Sequence, residues 1–458
     1  MIKKIVIFFC IIALVVLSAY FGKMHAEQVF IVSIFSASIL GTLLFWDFRL
    51  AFVFTGSGLL LLTHSVDITH FIRFASLDVI IFLIGMMILV GMMKQSGLFH
   101  WLVNRLLMMR NLNGVRLFII IMIVSAILSG LTGEVTSIIV MTGAILEISE
   151  LLKINPVPLV ISSVLTTNIG SASTLLGNPI GILIALRANL TFEDFLTRAL
   201  PLSVIVLLFI TVILILWYRK YLRDITSKLA FLGRGQRISY DIYFNKKKIC
   251  SMILFCVMIA LIATHRRLEL LFSIQENELL VILPIIFAGL SLLCFHHEAL
   301  HCIEHEVEWK SLLFFMFLFA QAGVVQSSGV AQLMAEKLMK QVGSRPIIIT
   351  GLTLFSSGVL SGVLDNTVVV ASYIPVVKSL HVINSTLHPL WWALLFGACF
   401  GGNITAIGST ANIVALGILE KEKNIKVDFL RWLKLGLLIG LVSMAIAYLA
   451  LVLMPIFR

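Results

Sequence analysis

The stretch Gly401-Gly402-Asn403-Ile404-Thr405-Ala406-Ile407-Gly408-Ser409-Thr410-Ala411-Asn412 lies between two apolar runs, 390–400 and 413–419. Three Gly, two Asn and three hydroxyl residues do not belong at the centre of a helix that simply crosses a bilayer. Gly loosens a helix, and Asn, Ser and Thr bond locally to the backbone. Irregular backbone at membrane depth survives only where protein or a water-filled cavity satisfies it. The stretch therefore predicts a broken transmembrane helix, the element on which transporters build substrate and ion sites. A second stretch of the same kind, Asn168-Ile169-Gly170-Ser171-Ala172-Ser173-Thr174-Leu175-Leu176-Gly177-Asn178, predicts a second break.

Composition agrees. The 458 residues are 60% hydrophobic and 12% charged, with a mean hydropathy of +1.08, whereas soluble domains run near about 25% charged. A polytopic all-α membrane protein follows, and at about 20 residues per crossing there is room for ten to twelve spans. The net charge of +11 sits in short loops, which points to membrane orientation and not to nucleic acid. The six Cys (10, 250, 256, 294, 302, 399) form no CxxC pair and read as apolar fillers.

Taken in order, spans are predicted at 5–22 (a cleaved signal peptide being the rival reading), 28–46, 50–64 and 78–93. An amphipathic surface segment follows at 97–109. A re-entrant hairpin is predicted over 115–150, its arms joined by Leu131-Thr132-Gly133-Glu134. Next come a broken span at 157–187 and a span at 196–217. Segment 219–248 carries nine Lys or Arg against two Asp and reads as a polar cytoplasmic loop. Spans at 249–265, 279–295 and 310–325 follow, with surface segments at 296–308 and 329–342. The chain closes with a second hairpin, 346–380, tipped by Leu364-Asp365-Asn366-Thr367, a broken span at 390–420 and a last span at 429–455. The count is eleven. Five units follow: N-terminal scaffold spans (1–76), a first core (77–218), the basic loop (219–248), two further scaffold spans (249–308) and a second core (309–458).

An internal repeat organises these segments. Gln95-Ser96-Gly97 matches Ser327-Ser328-Gly329, and Leu128-Ser129-Gly130 matches Leu360-Ser361-Gly362, each 232 positions apart. Asn168 and Asn403 are 235 apart, while Asn178 and Asn412, and Asp194-Phe195-Leu196 and Asp428-Phe429-Leu430, are 234 apart. A single spacing held through successive blocks indicates duplication. Five crossings separate equivalent points, so the copies are expected to be inverted in the membrane.

Two hairpin tips and two breaks would then meet near the midplane, where helix N-termini suit an anion and unwound carbonyls suit Na⁺ or a proton-bearing carboxylate. The candidate site residues are Thr132, Glu134 and Thr136 in hairpin one and Asn168, Ser171, Ser173, Thr174 and Asn178 in break one. The second half supplies Asp365, Asn366, Thr367, Asn403, Thr405, Ser409, Thr410 and Asn412. Glu134 and Asp365 stand out because an ionisable group at membrane depth costs about 2.5–3.5 kcal/mol on insertion scales. The competing reading makes them helix caps, and makes the Asn, Ser and Thr plain helix–helix ties. His297, His301 and His305 share a helical face that could hold Zn²⁺, but Glu298, Glu304, Glu306 and Glu308 around them mark a solvated surface helix.

The run Gly397-Ala398-Cys399-Phe400-Gly401-Gly402-Asn403 through Asn412-Ile413-Val414 resembles the second-half signature of the ion transporter superfamily. The branch it is similar to holds arsenite permeases, NhaD-type sodium/proton antiporters, citrate-transporter-like permeases and the melanosomal P protein. Asn168-Ile169-Gly170 to Gly177-Asn178-Pro179, Leu364-Asp365-Asn366-Thr367 and Val307-Glu308-Trp309 fit the same pattern, over about residues 28–455. The resemblance implies an eleven-span dimer in which a transport domain slides against a scaffold. The tips depart from the Ser-Asn-Thr of the dicarboxylate branch: here they read Gly133-Glu134-Val135 and Asp365-Asn366-Thr367. A carboxylate there replaces a bound Na⁺ or carries a proton, and repels a dicarboxylate.

The expected function is secondary active transport of a small anion, oxyanion or organic anion coupled to Na⁺ or H⁺. The alternatives are a Na⁺/H⁺ antiporter or an arsenite efflux permease, and only an arsenite-type pump would bring in a separate ATPase subunit. A passive channel or a membrane-embedded enzyme is more remote, since the sequence offers no nucleophile–base pair and no P-loop. The coupling ion is the one cofactor expected, and the lipid bilayer and a second copy of the chain are the expected partners. The expected location is the inner or plasma membrane, with the N-terminus and 219–248 in the cytoplasm.

Overall fold

A computed structural model describes residues 2–98, 112–232, 246–343, 345–383 and 389–457, and among them no strand occurs. The helices are α1 (Ile2–Phe21), α2 (Ala26–Leu44), α3 (Arg49–Leu62), α4 (Ile68–Phe74), α5 (Leu77–Gln95), α6 (Gly114–Thr132) and α7 (Glu134–Leu152). They continue with α8 (Val157–Ser171), α9 (Pro179–Ala188), α10 (Leu200–Trp217), α11 (Arg219–Leu232), α12 (Lys246–Ala263), α13 (His265–Phe272), α14 (Glu278–Cys294) and α15 (His296–His305). The last are α16 (Trp309–Ser327), α17 (Val330–Val342), α18 (Pro346–Ser361), α19 (Asn366–Ile383), α20 (Pro389–Gly401), α21 (Thr410–Lys423) and α22 (Phe429–Leu453).

Among the described residues, nine helices are long and apolar enough to cross a bilayer. They become ten if the bent pair Ile249–Ala263 and His265–Phe272, at 68° to each other, is one span. The eleven-span reading also counts α3, α14 and the pairs α8/α9 and α20/α21, and leaves the hairpin arms out. The predicted surface segment 97–109 falls mostly outside the described residues.

Hairpin one, α6 and α7, turns at Gly133, whose φ of +91° lies in the region open mainly to glycine. Its open end is closed by α11. There Gly114 N donates to Thr226 Oγ1 at 2.9 Å, Lys228 Nζ to Lys153 O at 2.9 Å, and Tyr221 Oη to Asn155 O. This corrects the expectation of a polar loop over 219–248 for residues 219–232, while 233–245 lie outside the described residues. The first half is an amphipathic helix that buries Leu222 and Ile225 and turns its charges outward.

Contacts between helix ends define two faces of the bundle. On the first, Lys94 pairs with Glu306 at 2.8 Å and Lys247 with Glu298 at 2.5 Å, while Glu150 at the end of α7 pairs with Lys423 at the end of α21. On the second, Gln28 Nε2 donates to Ser328 O at 2.8 Å, Lys337 Nζ to Gly22 O at 2.5 Å, and Arg187 Nη1 to Asp78 Oδ2 at 3.1 Å. Hairpin one opens at the first face beside α11. Hairpin two, α18 and α19, follows α17 at the second.

Candidate functional site

Each break begins where a helix touches a hairpin arm too closely for a side chain. A Cβ on Gly170 would stand 2.2 Å from Ala126 O, and one on Gly401 would stand 2.1 Å from Gly358 O. The chain then unwinds over 172–178 and 402–409. Thr174 Oγ1 donates to Gly130 O and accepts from Leu176 N at 3.1 Å. Thr405 Oγ1 does the same with Gly362 O and with Ile407 N at 3.3 Å. Helix resumes under a side-chain cap, Asn178 Oδ1 accepting from Gly181 N at 2.8 Å and Ser409 Oγ from Ala411 N at 3.2 Å.

These matching devices stand 231 or 232 positions apart, so the 234–235 spacing does not hold inside the breaks. Asn178 has the role of Ser409 and not of Asn412, and the position matching Asn168 is Cys399. The cause is length. Helix α21 has 14 residues against 10 in α9, which adds the offset only downstream, where Asn189 and Asn424 end the two helices in left-handed conformation.

The unmatched asparagines tie the two breaks to each other. Asn168 Nδ2 donates to Asn403 Oδ1 at 2.8 Å and to Asn412 Oδ1 at 2.9 Å, while its Oδ1 accepts from Ser409 Oγ at 3.1 Å. Asn412 Nδ2 donates to Gly402 O and Thr405 O, both at 2.8 Å, and Asn403 Nδ2 to Leu165 O at 3.2 Å. All three side chains are at most 1% exposed. A closed polar network in a low-dielectric interior holds its members in one arrangement, so these residues act here as cross-ties.

The carboxylates are placed differently. Glu134 opens α7 and is 4% exposed, with its N donating to Gly177 O at 3.0 Å. Its carboxyl faces Asn366 and Ser171, with Asp365 in electrostatic range. Its Oε2 has no hydrogen-bond partner. Asp365, 7% exposed, accepts from Thr367 N at 2.9 Å and from Thr410 Oγ1 at 2.7 Å. These contacts bring together the first turns of α7, α9, α19 and α21. Four partial positive charges and two carboxylates therefore meet in one buried place.

The remaining candidates line or brace this place. Ser171 Oγ donates to Asn168 O at 3.0 Å and accepts from Asn178 Nδ2 at 3.0 Å. Ser173 Oγ donates to Gly170 O at 2.6 Å, and Thr132 Oγ1 to Leu128 O at 2.8 Å, so both hydroxyls are spent on nearby backbone. Asn366 and Thr367 are buried, while Thr136 is half-buried on the first turn of α7. Sequence reasoning missed two neighbours. Cys399, read as filler, is 1% exposed and its Sγ accepts from Asn178 Nδ2 at 3.2 Å, with Glu134 nearby. Glu308, read as part of a solvated segment, precedes the first residue of α16, lies within electrostatic range of Arg49 and Asp365, and accepts from Ser311 Oγ at 3.0 Å. No group of three metal-ligating side chains occurs among the described residues, and His301 is bonded to Gln95 at 2.9 Å.

Known proteins resemble this chain in sequence, and one solved structure resembles it in fold. The chain is 32% identical over 376 residues to an uncharacterized transporter of Mycobacterium tuberculosis, a match covering 81% of this chain and 84% of that one. It is 26% identical over 449 residues to the human P protein, covering 82% of this chain and 53% of the other. Among solved structures, the YdaH transporter of Alcanivorax borkumensis shares the fold with a TM-score of 0.59 at 15% identity, over 86% of this chain and 88% of that one. The family described as "Citrate transporter" matches residues 5–397. The chain is a multi-pass membrane transporter and belongs to the citrate transporter family.

Proposed function

We propose that the protein is a secondary active transporter of a small anion, an oxyanion or an organic anion of the citrate class, coupled to H⁺ or Na⁺ held between Glu134 and Asp365. The observation that carries this is the unpartnered Glu134 Oε2 beside Asp365 and Asn366. A buried ionised carboxylate with one oxygen left unpartnered is costly, and a proton or a Na⁺ removes that cost. The four helix N-termini around it suit an anion. Two bare carboxylates repel that anion, so a cation must neutralise them first. The order cation then anion makes coupling obligatory. The homodimer, the sliding transport domain, the cell-membrane location and the cytoplasmic placement of α11 belong to the same proposal.

Flux of protons and of radioactive Na⁺ in proteoliposomes tests it, with citrate, phosphate, arsenite and no anion as arms. Cation flux that appears only with one anion supports anion–cation coupling and names the substrate. A second reading, Na⁺/H⁺ antiport, is favoured by one feature: the open atom of the cluster is an acceptor, which suits a cation without any anion. Na⁺-driven proton movement in the anion-free arm selects that reading and overturns the first.

A further inference from the structure

A cavity of about 450 Å³ opens at the second face, in the seam between α4 and α16 on one side and α9 and α19 on the other. Three cationic side chains from three helices line it: Arg73, Arg187 and Lys378. Arg187 alone has a carboxylate partner. Its Nη1 and Nη2 reach Asp78 at 3.1 and 3.2 Å, and Nη2 also donates to Ser76 Oγ at 2.6 Å. Arg73 and Lys378 have no carboxylate partner among the described residues. Gln326 and Ser327 add polar side chains to the wall, and Leu183, Phe319 and Ile374 close its apolar side.

Helix dipoles explain part of this pattern. Arg73 and Arg187 lie in the last turns of their helices, where cations belong. They do not explain Lys378, which is half-buried more than a turn before the end of α19. Nor do they explain why cations from three helices line one cavity. Lys378 lies within electrostatic range of Arg187, and the half-buried ammonium and the Arg73 guanidinium on the same cavity both lack a counter-charge among the described residues.

We propose that this cavity is an anion-binding site for a phosphate or carboxylate group, held by Arg73 and Lys378 and braced by Arg187. Guanidinium groups bind such planar or tetrahedral oxyanions in fork geometry, and Lys adds a point charge. The group can come from a free anion or from the headgroup of an anionic lipid, for which basic pockets between transmembrane helices are suited. The site lies apart from the carboxylate cluster yet is mechanically joined to it. Arg187 is nine residues past Asn178 and Lys378 twelve past Asn366, about 14 and 18 Å along helices that start in the cluster. A bound anion would pin the outer ends of α9 and α19 to α4 and α16. This proposal is independent of the coupling reading above.

The test uses the full chain in neutral detergent at fixed ionic strength. Thermal midpoints are measured against inorganic phosphate, citrate and phosphatidylglycerol, for wild type and for Arg73→Gln/Lys378→Gln. Expected is a saturable rise with at least one ligand, an apparent Kd at least tenfold weaker in the double variant, and a retained response in Lys378→Arg. A response to phosphate or citrate identifies a free anion as the source, and a response to phosphatidylglycerol alone identifies a headgroup. Should the double variant not fold, Arg73→Gln, at an exposed side chain, carries the test with a threefold weaker response expected. No saturable shift with any ligand, or an unchanged Kd in the variants, overturns the proposal.

Discussion

Glu134 and Asn168 are both buried and polar, yet they face opposite situations. Every polar hydrogen of the Asn168 side chain has a partner, whereas one oxygen of Glu134 has none. Substitution separates the two roles. Glu134→Gln keeps the volume and removes an uncompensated charge, so the thermal midpoint is expected to hold or rise while coupled flux in proteoliposomes falls at least tenfold. A midpoint lowered by several degrees with flux intact would make Glu134 a cap and nothing more. Asn168→Asp removes two donors and turns an oxygen toward the amide oxygens of Asn403 and Asn412. Two buried acceptors then lose their donors, at about 1–3 kcal/mol each. Denaturant unfolding should show that loss, and unchanged stability would remove the cross-tie from the account.

At the scale of elements, close helix contact decides where the chain may break. Gly170 and Gly401 lie against main-chain carbonyls, which cannot move aside as a flexible side chain can. Gly170→Ala and Gly401→Ala are each expected to cost about 1–3 kcal/mol, as overpacking does, and to lower the thermal midpoint alike because the two contacts are built alike. Gly143, inside α7, has open space where its Cβ would be. Gly143→Ala should therefore stabilise by about 0.5–1 kcal/mol through helix propensity. A lowered midpoint there would mean that this face of α7 is packed against something in the membrane.

For the whole molecule, the two faces lead to an orientation experiment. Arg223 on α11 and Lys340 on α17 are both exposed and lie at opposite faces. With Cys10, Cys250, Cys256 and Cys294 replaced by Ser, Arg223→Cys is expected to react with a membrane-impermeant thiol reagent only after cells are permeabilised. Lys340→Cys is expected to react in intact cells. Labelling of both from outside would refute the opposed openings of the two hairpins, and the reverse pattern would place α11 outside against the charge rule.

The helical membrane class, both helical hairpins, both breaks and nearly every helix boundary are legible along the chain, because apolar run length and Gly, Asn and Thr interruptions are local signals. Residues 219–232 look like a loop on that scale, since an amphipathic helix carrying many charges has little net hydropathy. Repeat positions inside the breaks are not legible from identical letters, because the helices that follow the breaks differ in length. Which polar residues are spent on each other emerges only in three dimensions. Asn168, Asn403 and Asn412 close a network across 235 and 244 positions of chain, while Glu134 is left open. Cys399 and Glu308 entered the site, and Arg73, Arg187 and Lys378 met in one cavity, through the same cause. Burial and partnership belong to pairs of residues far apart in the chain, and no local pattern carries them.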